Sequence, residues 1–313
     1  MKPAEVGKGE GLRLALIGQG AFCAKVLEAL AARGENLVAA YTVPDPGRAG
    51  PVVEAARKAG IPVFQPALMR SPEVYEQFSS LKPDLGVMAF VTDIVPSRIL
   101  ECPRLGTIEY HPSLLPRHRG ASAINWAIIQ GDKRTGLTIF WVDRGIDTGP
   151  VLLQKEVDVG PDDTVGSLYF NRLFPLGVDA ILEAVSMVKG KAPRVPQDTT
   201  LASYEPPCEE KHAVIDWHQP LDRVYDLIRG TNPQPGATTL FKGKKLKLYD
   251  SEKLPGVAGG AGEVVVVGEK GFEVACPGGA ILVKRVQPEG AGKQAAAEFA
   301  RQVSLAAGER LGS

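Results

Sequence analysis

The stretch Leu12–Arg33, LRLALIGQGAFCAKVLEALAAR, decides the fold. Leu12–Gly18 is a short apolar run that ends at glycine, which is typical of a buried strand. Ala21–Arg33 carries apolar residues at helical spacing and is followed by Gly34, a common helix stop. A strand that turns through glycine directly into a helix is the first half of a βαβ unit.

The same alternation continues to about residue 90. We predict strands at Leu37–Val43, Ile61–Phe64 and Asp84–Phe90, and helices at Val52–Ala59 and Ser71–Leu81. Strands that alternate with helices in this way indicate an α/β fold, a Rossmann-like doubly wound parallel sheet with helices on both faces.

The middle of the chain adds two irregular segments. His111–Gly120 (HPSLLPRHRG) follows a predicted strand, Gly106–Tyr110, and Asp143–Pro150 (DRGIDTGP) follows another, Gly136–Val142. The remaining predicted elements are a helix at Ala123–Gln130, a strand at Val151–Val157 and a long helix capped by Asp163 or Thr164.

Composition divides the chain further. Residues 1–11 resemble a flexible leader, residues 12–190 form the predicted catalytic domain, and the proline-rich residues 191–211 are a predicted linker. Short strands separated by Gly and Lys, beginning with Ala213–Trp217, predict that residues 212–313 form a smaller C-terminal β-barrel of the OB type.

Composition also narrows the function. The 313 residues include 36 basic and 36 acidic side chains, so the large positive excess of many nucleic-acid-binding proteins is missing. No apolar run reaches the roughly 20 residues of a membrane span, and the N-terminus lacks the apolar core of a signal peptide. Four cysteines without a CxxC pair and four histidines without HExxH spacing predict neither a disulfide framework nor a metal. We therefore expect a soluble, cytoplasmic protein.

Three residues are candidates for proton chemistry. His111 lies where a strand enters an irregular loop, a common ligand-binding position in open α/β sheets. Glu109 is two residues earlier, so it shares a strand face with His111, although it could equally be a solvent-facing strand residue. Asp147 lies between glycines, and it could also be a turn aspartate that caps its own backbone, as could Asp143.

Two further motifs are weaker. Gly18-Gln19-Gly20 resembles the start of a dinucleotide fingerprint, but Cys23 replaces the third glycine, and a plain strand-to-helix turn explains it as well. Arg117, His118 and Arg119 form a basic patch that could meet an anionic ligand or pair with local acids.

Together these segments resemble the folate-dependent formyltransferase superfamily. The resemblance is carried by His111–Pro116 (HPSLLP), Arg119-Gly120, Asp143–Gly149 (DRGIDTG) and, in the second domain, Ile228–Ala237 (IRGTNPQPGA). Residues His111–Trp126 are similar to the amino-terminal hydrolase domain of 10-formyltetrahydrofolate dehydrogenase. The methionyl-tRNA formyltransferase branch shares several of these motifs, but it usually carries a basic insertion where this chain has the short loop 44–51.

The resemblance implies that the chain takes 10-formyltetrahydrofolate as formyl donor, without a metal. It implies that His111 stabilises an oxyanion or donates a proton and that Asp147 accepts and shuttles one. The implied folate slot consists of Phe90, Asp93, Ile94, Val95, Ser113, Leu114, Leu115 and Pro116. The implied formyl acceptor is water or an amine. Aminoacyl-tRNA is a possible acceptor that we do not favour, and an amino-sugar nucleotide is another that stays open. A chain that binds folate without catalysis also stays open. The sequence does not indicate an oligomeric state.

One residue departs from the family pattern. The transferases have asparagine two residues before the histidine, where this chain has Glu109. Glu109 could be protonated by burial beside Asp147 and then donate a hydrogen bond, it could orient a water, or the site could be weakened. From the sequence we favour the water-orienting role, which would favour hydrolysis.

Overall fold

The structure is a computed structural model that describes residues 11–45, 47, 49–92, 94–190, 192 and 194–312. Contacts between residues group this part of the chain into two compact units. The first extends to Arg119 and adds Gly136–Lys155 and Leu173–Ser203. The second contains Gly120–Thr135, Glu156–Arg172 and the chain from Tyr204 onward.

The N-terminal half builds a seven-stranded sheet. Its strands are β1 (Arg13–Gly18), β2 (Asn36–Tyr41), β3 (Val63–Phe64), β4 (Leu85–Ala89), β5 (Thr107–His111), β6 (Arg134–Trp141) and β7 (Val151–Asp158). Their order in the sheet is β3-β2-β1-β4-β5-β6-β7. The pairs from β3 to β5 are parallel, and β6 runs antiparallel to β5. The predicted Rossmann-like sheet is confirmed, and its strand order reverses between β1 and β4, where such sheets bind ligands.

The helices agree closely with the sequence pattern. They are α1 (Gly20–Ala32), α2 (Pro51–Ala59), α3 (Pro72–Ser80), α4 (Ser97–Leu100), α5 (Ala123–Ile129), α6 (Val165–Leu168), α7 (Phe174–Lys189), α8 (Leu221–Gly230) and α9 (Ala296–Gln302). The long helix predicted after residue 163 is interrupted by a π-helical turn, Tyr169–Leu173, and Thr164 is its cap, with its hydroxyl accepting from the Ser167 amide at 3.1 Å.

The core of the first unit fixes β5, the strand that carries two candidate residues. Ile108 and Tyr110 are buried among the side chains of α1 and α7. Gly177 of α7 lies so close to Tyr110 that a Cβ atom there would come within 2.6 Å of the ring. Because Tyr110 points into this core, its neighbours Glu109 and His111 point to the opposite face of the strand.

The second unit contains two four-stranded antiparallel sheets, consistent with the predicted barrel-like domain. The strands are β8 (Ala237–Phe241), β9 (Lys244–Leu248), β10 (Ser251–Pro255), β11 (Val264–Gly268), β12 (Gly271–Cys276), β13 (Gly279–Val283), β14 (Arg285–Pro288) and β15 (Gln294–Ala295). The sheet orders are β10-β13-β12-β11 and β15-β14-β9-β8. Both sheets enclose a core around Trp217, Phe272 and Phe299.

The strand predicted at Ala213–Trp217 is wrong. Its alternating apolar side chains are buried as a strand's would be, but the backbone makes a single bridge, from Val214 to Thr238. The chain then turns away because the Asp216 carboxylate accepts from the His218 amide at 3.0 Å, an aspartate turn that competes with strand pairing.

Two further findings concern the described part of the chain. None of its helices is both long and apolar enough to cross a membrane. The four cysteines all lie within it and are free thiols.

Candidate active site

Glu109 and His111 lie on one face of β5, and the sheet register fixes both. Glu109 pairs with Met88 of β4 on one side and with Phe140 of β6 on the other, and His111 pairs with Thr138. His111 is the last residue of the strand, which therefore ends one residue later than the pattern predicts. Residues two apart on a strand share a face, so the two side chains form one wall.

The His111 ring is buried, with 6% of its surface exposed, and each nitrogen has a distinct neighbour. Nε2 lies 2.8 Å from the His118 carbonyl oxygen, and Nδ1 lies 3.6 Å from Oδ2 of Asp147. A carbonyl can only accept, so Nε2 carries a hydrogen and donates it. In the neutral ring Nδ1 is therefore the nitrogen without a hydrogen, and it faces a carboxylate.

Asp147 owes its position to an unusual backbone. Its φ is 55°, in the left-handed region that Asp and Asn tolerate better than most residues. Asp143 shapes the loop, because its Oδ1 accepts from the Gly145 amide at 2.9 Å and from the Thr148 hydroxyl at 2.6 Å. A Cβ atom on Gly149 would lie 1.7 Å from the Trp141 carbonyl oxygen, so the loop passes that strand where side chains do not fit. Of the two aspartates, Asp143 is therefore the turn residue and Asp147 faces the histidine.

Gln197 is a residue of this site that the sequence did not reveal. Its Nε2 donates to the carbonyl oxygens of Asp147 and Gly149, both at 2.8 Å. Its Oε1 accepts from the Arg119 guanidinium at 2.7 Å. No sequence signal marks Gln197, because it lies fifty residues beyond the loop in a segment without periodicity.

Glu109 differs electrically from an exposed glutamate. Desolvation by burial and the nearby charge of Asp147 together raise the pKa of Glu109 to about 8. The carboxyl group is therefore mostly protonated at neutral pH, and a protonated carboxyl can donate a hydrogen bond that a carboxylate cannot. This favours the first of the three roles considered for Glu109 over the water-orienting role that we favoured from the sequence.

The loop after β5, residues 111–120, is held by side chains from β6 and β7. The Thr138 hydroxyl donates to the Ser113 carbonyl at 2.7 Å and accepts from the Leu115 amide at 3.1 Å. Gln154 donates to the Leu115 carbonyl at 2.8 Å, next to the cis peptide bond between Leu115 and Pro116. Thr138, a polar residue in the apolar strand β6, is a signal that could have pointed to this role.

The predicted slot residues have different surroundings. Ser113, Leu115 and Val95 are buried, Leu114 and Pro116 are half-buried, and the Ser113 hydroxyl donates to the Arg117 carbonyl at 2.7 Å. Phe90 and Ile94 are exposed, at 46% and 92%. Asp93 lies outside the described residues. Phe90 and Ser113 follow neighbouring parallel strands, so both segments leave the sheet at one edge.

A cavity of about 200 Å³ opens at the point where the strand order reverses. Gly18 and Gln19 line it from the turn after β1, and Tyr41, Val91 and Val95 line it from neighbouring strand ends. The turn is tight, because a Cβ atom on Gly18 would lie 2.0 Å from the Ala89 carbonyl oxygen.

The three basic residues Arg117, His118 and Arg119 have different surroundings, and Arg117 is the exposed one. His118 is buried at 2% exposure, with a left-handed φ of 54°, and its backbone rather than its ring serves His111. Arg119 is half-buried and bonds to Gln197. Among the described residues, no group of three or more His, Cys, Asp and Glu side chains could hold a metal ion.

The HPSLLP and DRGIDTG loops of this Rossmann-like sheet thus bring a histidine and an aspartate together. Comparison with known families shows that the chain belongs to the formyl transferases: the formyl transferase family matches residues 12–185, and its C-terminal domain matches residues 208–304.

Individual relatives agree with this assignment. The chain is 44% identical to the cytosolic 10-formyltetrahydrofolate dehydrogenase of Xenopus tropicalis over 77% of its own length, which is 27% of that relative. It thus spans about a quarter of the dehydrogenases that it matches. It is 39% identical to the methionyl-tRNA formyltransferase of Trichlorobacter lovleyi over 96% of its own length and 97% of that protein.

Solved structures share the fold. HypX from Aquifex aeolicus, in complex with tetrahydrofolic acid, superposes with a TM-score of 0.68 at 19% identity, covering 96% of this chain and 49% of that one. An N-formyltransferase from Helicobacter canadensis gives a TM-score of 0.69 at 18% identity, covering 90% of this chain and 100% of that one.

Proposed function

We propose that this chain binds 10-formyltetrahydrofolate and removes its formyl group, by hydrolysis to formate and tetrahydrofolate or by transfer to an amine. The observation that carries the proposal is the 3.6 Å approach of Asp147 to Nδ1 of His111, on the wall that also holds Glu109. Three proton-exchanging groups within one largely buried site suit a reaction in which a proton must leave one atom and reach another.

The oxygen of water, or the nitrogen of an amine, bonds to the formyl carbon while Asp147 accepts its proton, and the carbonyl electrons move onto the formyl oxygen. The tetrahedral intermediate then collapses, the bond from carbon to N10 of the folate breaks, and Asp147 returns the proton to N10. His111 stabilises the charge that develops, since its Nδ1 is the nitrogen that can carry an additional proton.

Glu109 supplies the hydrogen bond that the transferases take from asparagine. With a pKa of about 8 it keeps its proton at neutral pH, so it donates to the formyl oxygen rather than repelling it. The folate ring binds at the neighbouring edge, between the exposed Phe90 and Ile94 and the backbone of residues 113–116.

Transfer to methionyl-tRNA is the second candidate. Its support is that the relative of that name matches over 96% of this chain, including the second unit, whereas the dehydrogenase match covers 77% of it. Identity favours the dehydrogenase side, at 44% against 39%. The two candidates share the donor and differ in the acceptor.

The test is to incubate the purified protein with 10-formyltetrahydrofolate alone and to measure formate and tetrahydrofolate. Formate release that depends on His111 and Asp147 supports hydrolysis. Release of tetrahydrofolate that requires methionyl-tRNA or an amino-sugar nucleotide supports transfer. Folate binding without turnover, with every acceptor tried, would contradict the proposed reaction and support the folate-binding alternative.

A further inference from the structure

We infer that Gln197 is a positioning residue that holds the loop of Asp147 in its reactive shape; the inference rests on the proposed function. The Gln197 amide bonds the backbone on both sides of Thr148, at the carbonyls of Asp147 and Gly149, both at 2.8 Å. It bonds the Asp147 backbone, and the Asp147 carboxylate lies 3.6 Å from Nδ1 of His111. Gln197 therefore controls where the carboxylate points.

The orientation of the Gln197 amide is fixed by chemistry. A guanidinium has donors and no acceptor, so the Gln197 oxygen must face Arg119, with distances of 2.7 Å and 3.3 Å to two of its nitrogens. The amide nitrogen must then face the two carbonyls. Arg119 in this way sets which end of Gln197 meets the loop.

Gln197 is itself anchored at both ends of its segment, residues 195–203, which we call the strap. At one end the backbones of Val151 and Val195 exchange hydrogen bonds of 2.7 and 3.0 Å. At the other end Ser203 donates its amide to the Pro116 carbonyl at 3.2 Å and accepts from the His118 amide at 2.8 Å on its hydroxyl. The strap thus bonds both the loop that holds His118, the partner of His111, and the loop that holds Asp147.

The Asp147 loop needs such support because of its backbone. Asp147 has a left-handed φ of 55°. Residues 142–150, between β6 and β7, are all described and form neither a strand nor a helix that could hold this conformation. Such a backbone persists when surrounding contacts hold it in place. Because a misplacement of about 1 Å near reacting groups can cost about 10²-fold in rate, loss of the two Gln197 bonds should lower kcat strongly.

The test uses Gln197→Met and Gln197→Glu, both close in length to glutamine and both without the amide donors. We expect each to lower kcat for formyl removal by about 10²-fold with little change in KM for the folate or in melting temperature. The matched control is Asp198→Asn in the same strap, because the Asp198 carboxylate accepts from the amide and the hydroxyl of Thr200 and not from the Asp147 loop. Equal kcat in Gln197→Met and the unchanged protein would overturn the inference.

A double variant separates positioning from a general structural role. If Gln197 acts through Asp147, Gln197→Met should have no further effect on kcat in an Asp147→Asn background, whereas independent effects would multiply. Multiplied effects would overturn the inference.

Hydrogen exchange makes the inference testable even if the unchanged protein removes no formyl group. We expect faster amide exchange in residues 143–150 of Gln197→Met, and not in Asp198→Asn. Unchanged exchange there would overturn the positioning role, whereas absent formyl removal with fast exchange would contradict the proposed function alone.

Discussion

His111 at the end of β5 and Asp147 in the loop after β6 are held in place by different means. His111 is the last residue of a strand, and hydrogen bonds of the sheet and its register with Thr138 set its place. Asp147 lies in the middle of the irregular loop 143–150, whose shape depends on side chains, those of Asp143 and Gln197. One residue is placed by the regular fold and the other by individual polar contacts.

The difference has a physical consequence for substitutions. Many backbone hydrogen bonds of the sheet together hold β5 in place. No single side chain is therefore essential for the position of His111. The position of Asp147 depends instead on the two polar side chains of Asp143 and Gln197. Removal of the hydrogen bonds of either side chain should therefore lower the activity.

Asp147→Asn should abolish most of the activity while leaving the fold intact. Asparagine tolerates the left-handed backbone at φ 55°, but it cannot accept the proton that the proposed reaction transfers. We expect formyl removal to fall by about 10²–10⁴-fold, the range for positioned acid–base groups. Steady-state kinetics with 10-formyltetrahydrofolate, together with the melting temperature, measure both effects.

Asp143→Asn is the matched control in the same loop. The amide oxygen of asparagine can still accept from the Gly145 amide and the Thr148 hydroxyl, which are the two bonds that Asp143 makes. We expect a small effect on rate. A loss as large as that of Asp147→Asn would mean that the two aspartates do not divide their roles as described.

His111→Ala should have the next largest effect. It removes the imidazole that faces Asp147 and that stabilises the developing charge in the proposed reaction. Loss of one such stabilising group typically costs about 10²–10³-fold in rate. Because the loop 111–120 has other anchors, including Thr138, folate binding should persist, and fluorescence titration with tetrahydrofolate measures it. Loss of folate binding would show that His111 also builds the slot.

Glu109→Gln should alter the pH dependence more than the rate at neutral pH. The unchanged protein should lose kcat/KM above about pH 8, by about tenfold per pH unit, as Glu109 ionises and ceases to donate. Glutamine always donates, so the variant should stay active through this range. A variant that is inactive at every pH would instead support a carboxylate that orients water.

The same raised pKa has a consequence for stability. The folded protein retains the Glu109 proton up to about pH 8, whereas the unfolded chain releases it near the ordinary value of 4.5. The contribution of Glu109 to the free energy of unfolding is therefore fully present below about pH 4.5 and is lost as the pH rises to about 8. Glu109→Gln should flatten this part of the profile of unfolding free energy against pH, measured by urea denaturation.

The sequence predicted the sheet and most elements because apolar periodicity reports burial locally. It predicted the proximity of Glu109 and His111 because residues two apart on a strand must share a face. It missed Gln197 because a contact fifty residues along the chain leaves no local pattern. It also misjudged Ala213–Trp217, where alternation predicted burial correctly but not strand pairing. The apolar pattern of the sequence thus indicates whether a side chain faces the core or the solvent. Polar contacts between residues far apart in the chain determine where the site residues lie in detail.

Two threonines of β6 offer the smallest and most closely matched test. Thr138 and Thr135 are both buried, but the Thr138 hydroxyl bonds residues 113, 115 and 154, whereas that of Thr135 has no hydrogen-bond partner among the described residues. Thr138→Val should cost about 1–3 kcal/mol of unfolding free energy because it leaves buried polar groups unpaired. Thr135→Val should be neutral or stabilising, since valine keeps the shape and removes an unpaired hydroxyl. Equal costs by urea denaturation would mean that Thr138 does not anchor the loop after β5.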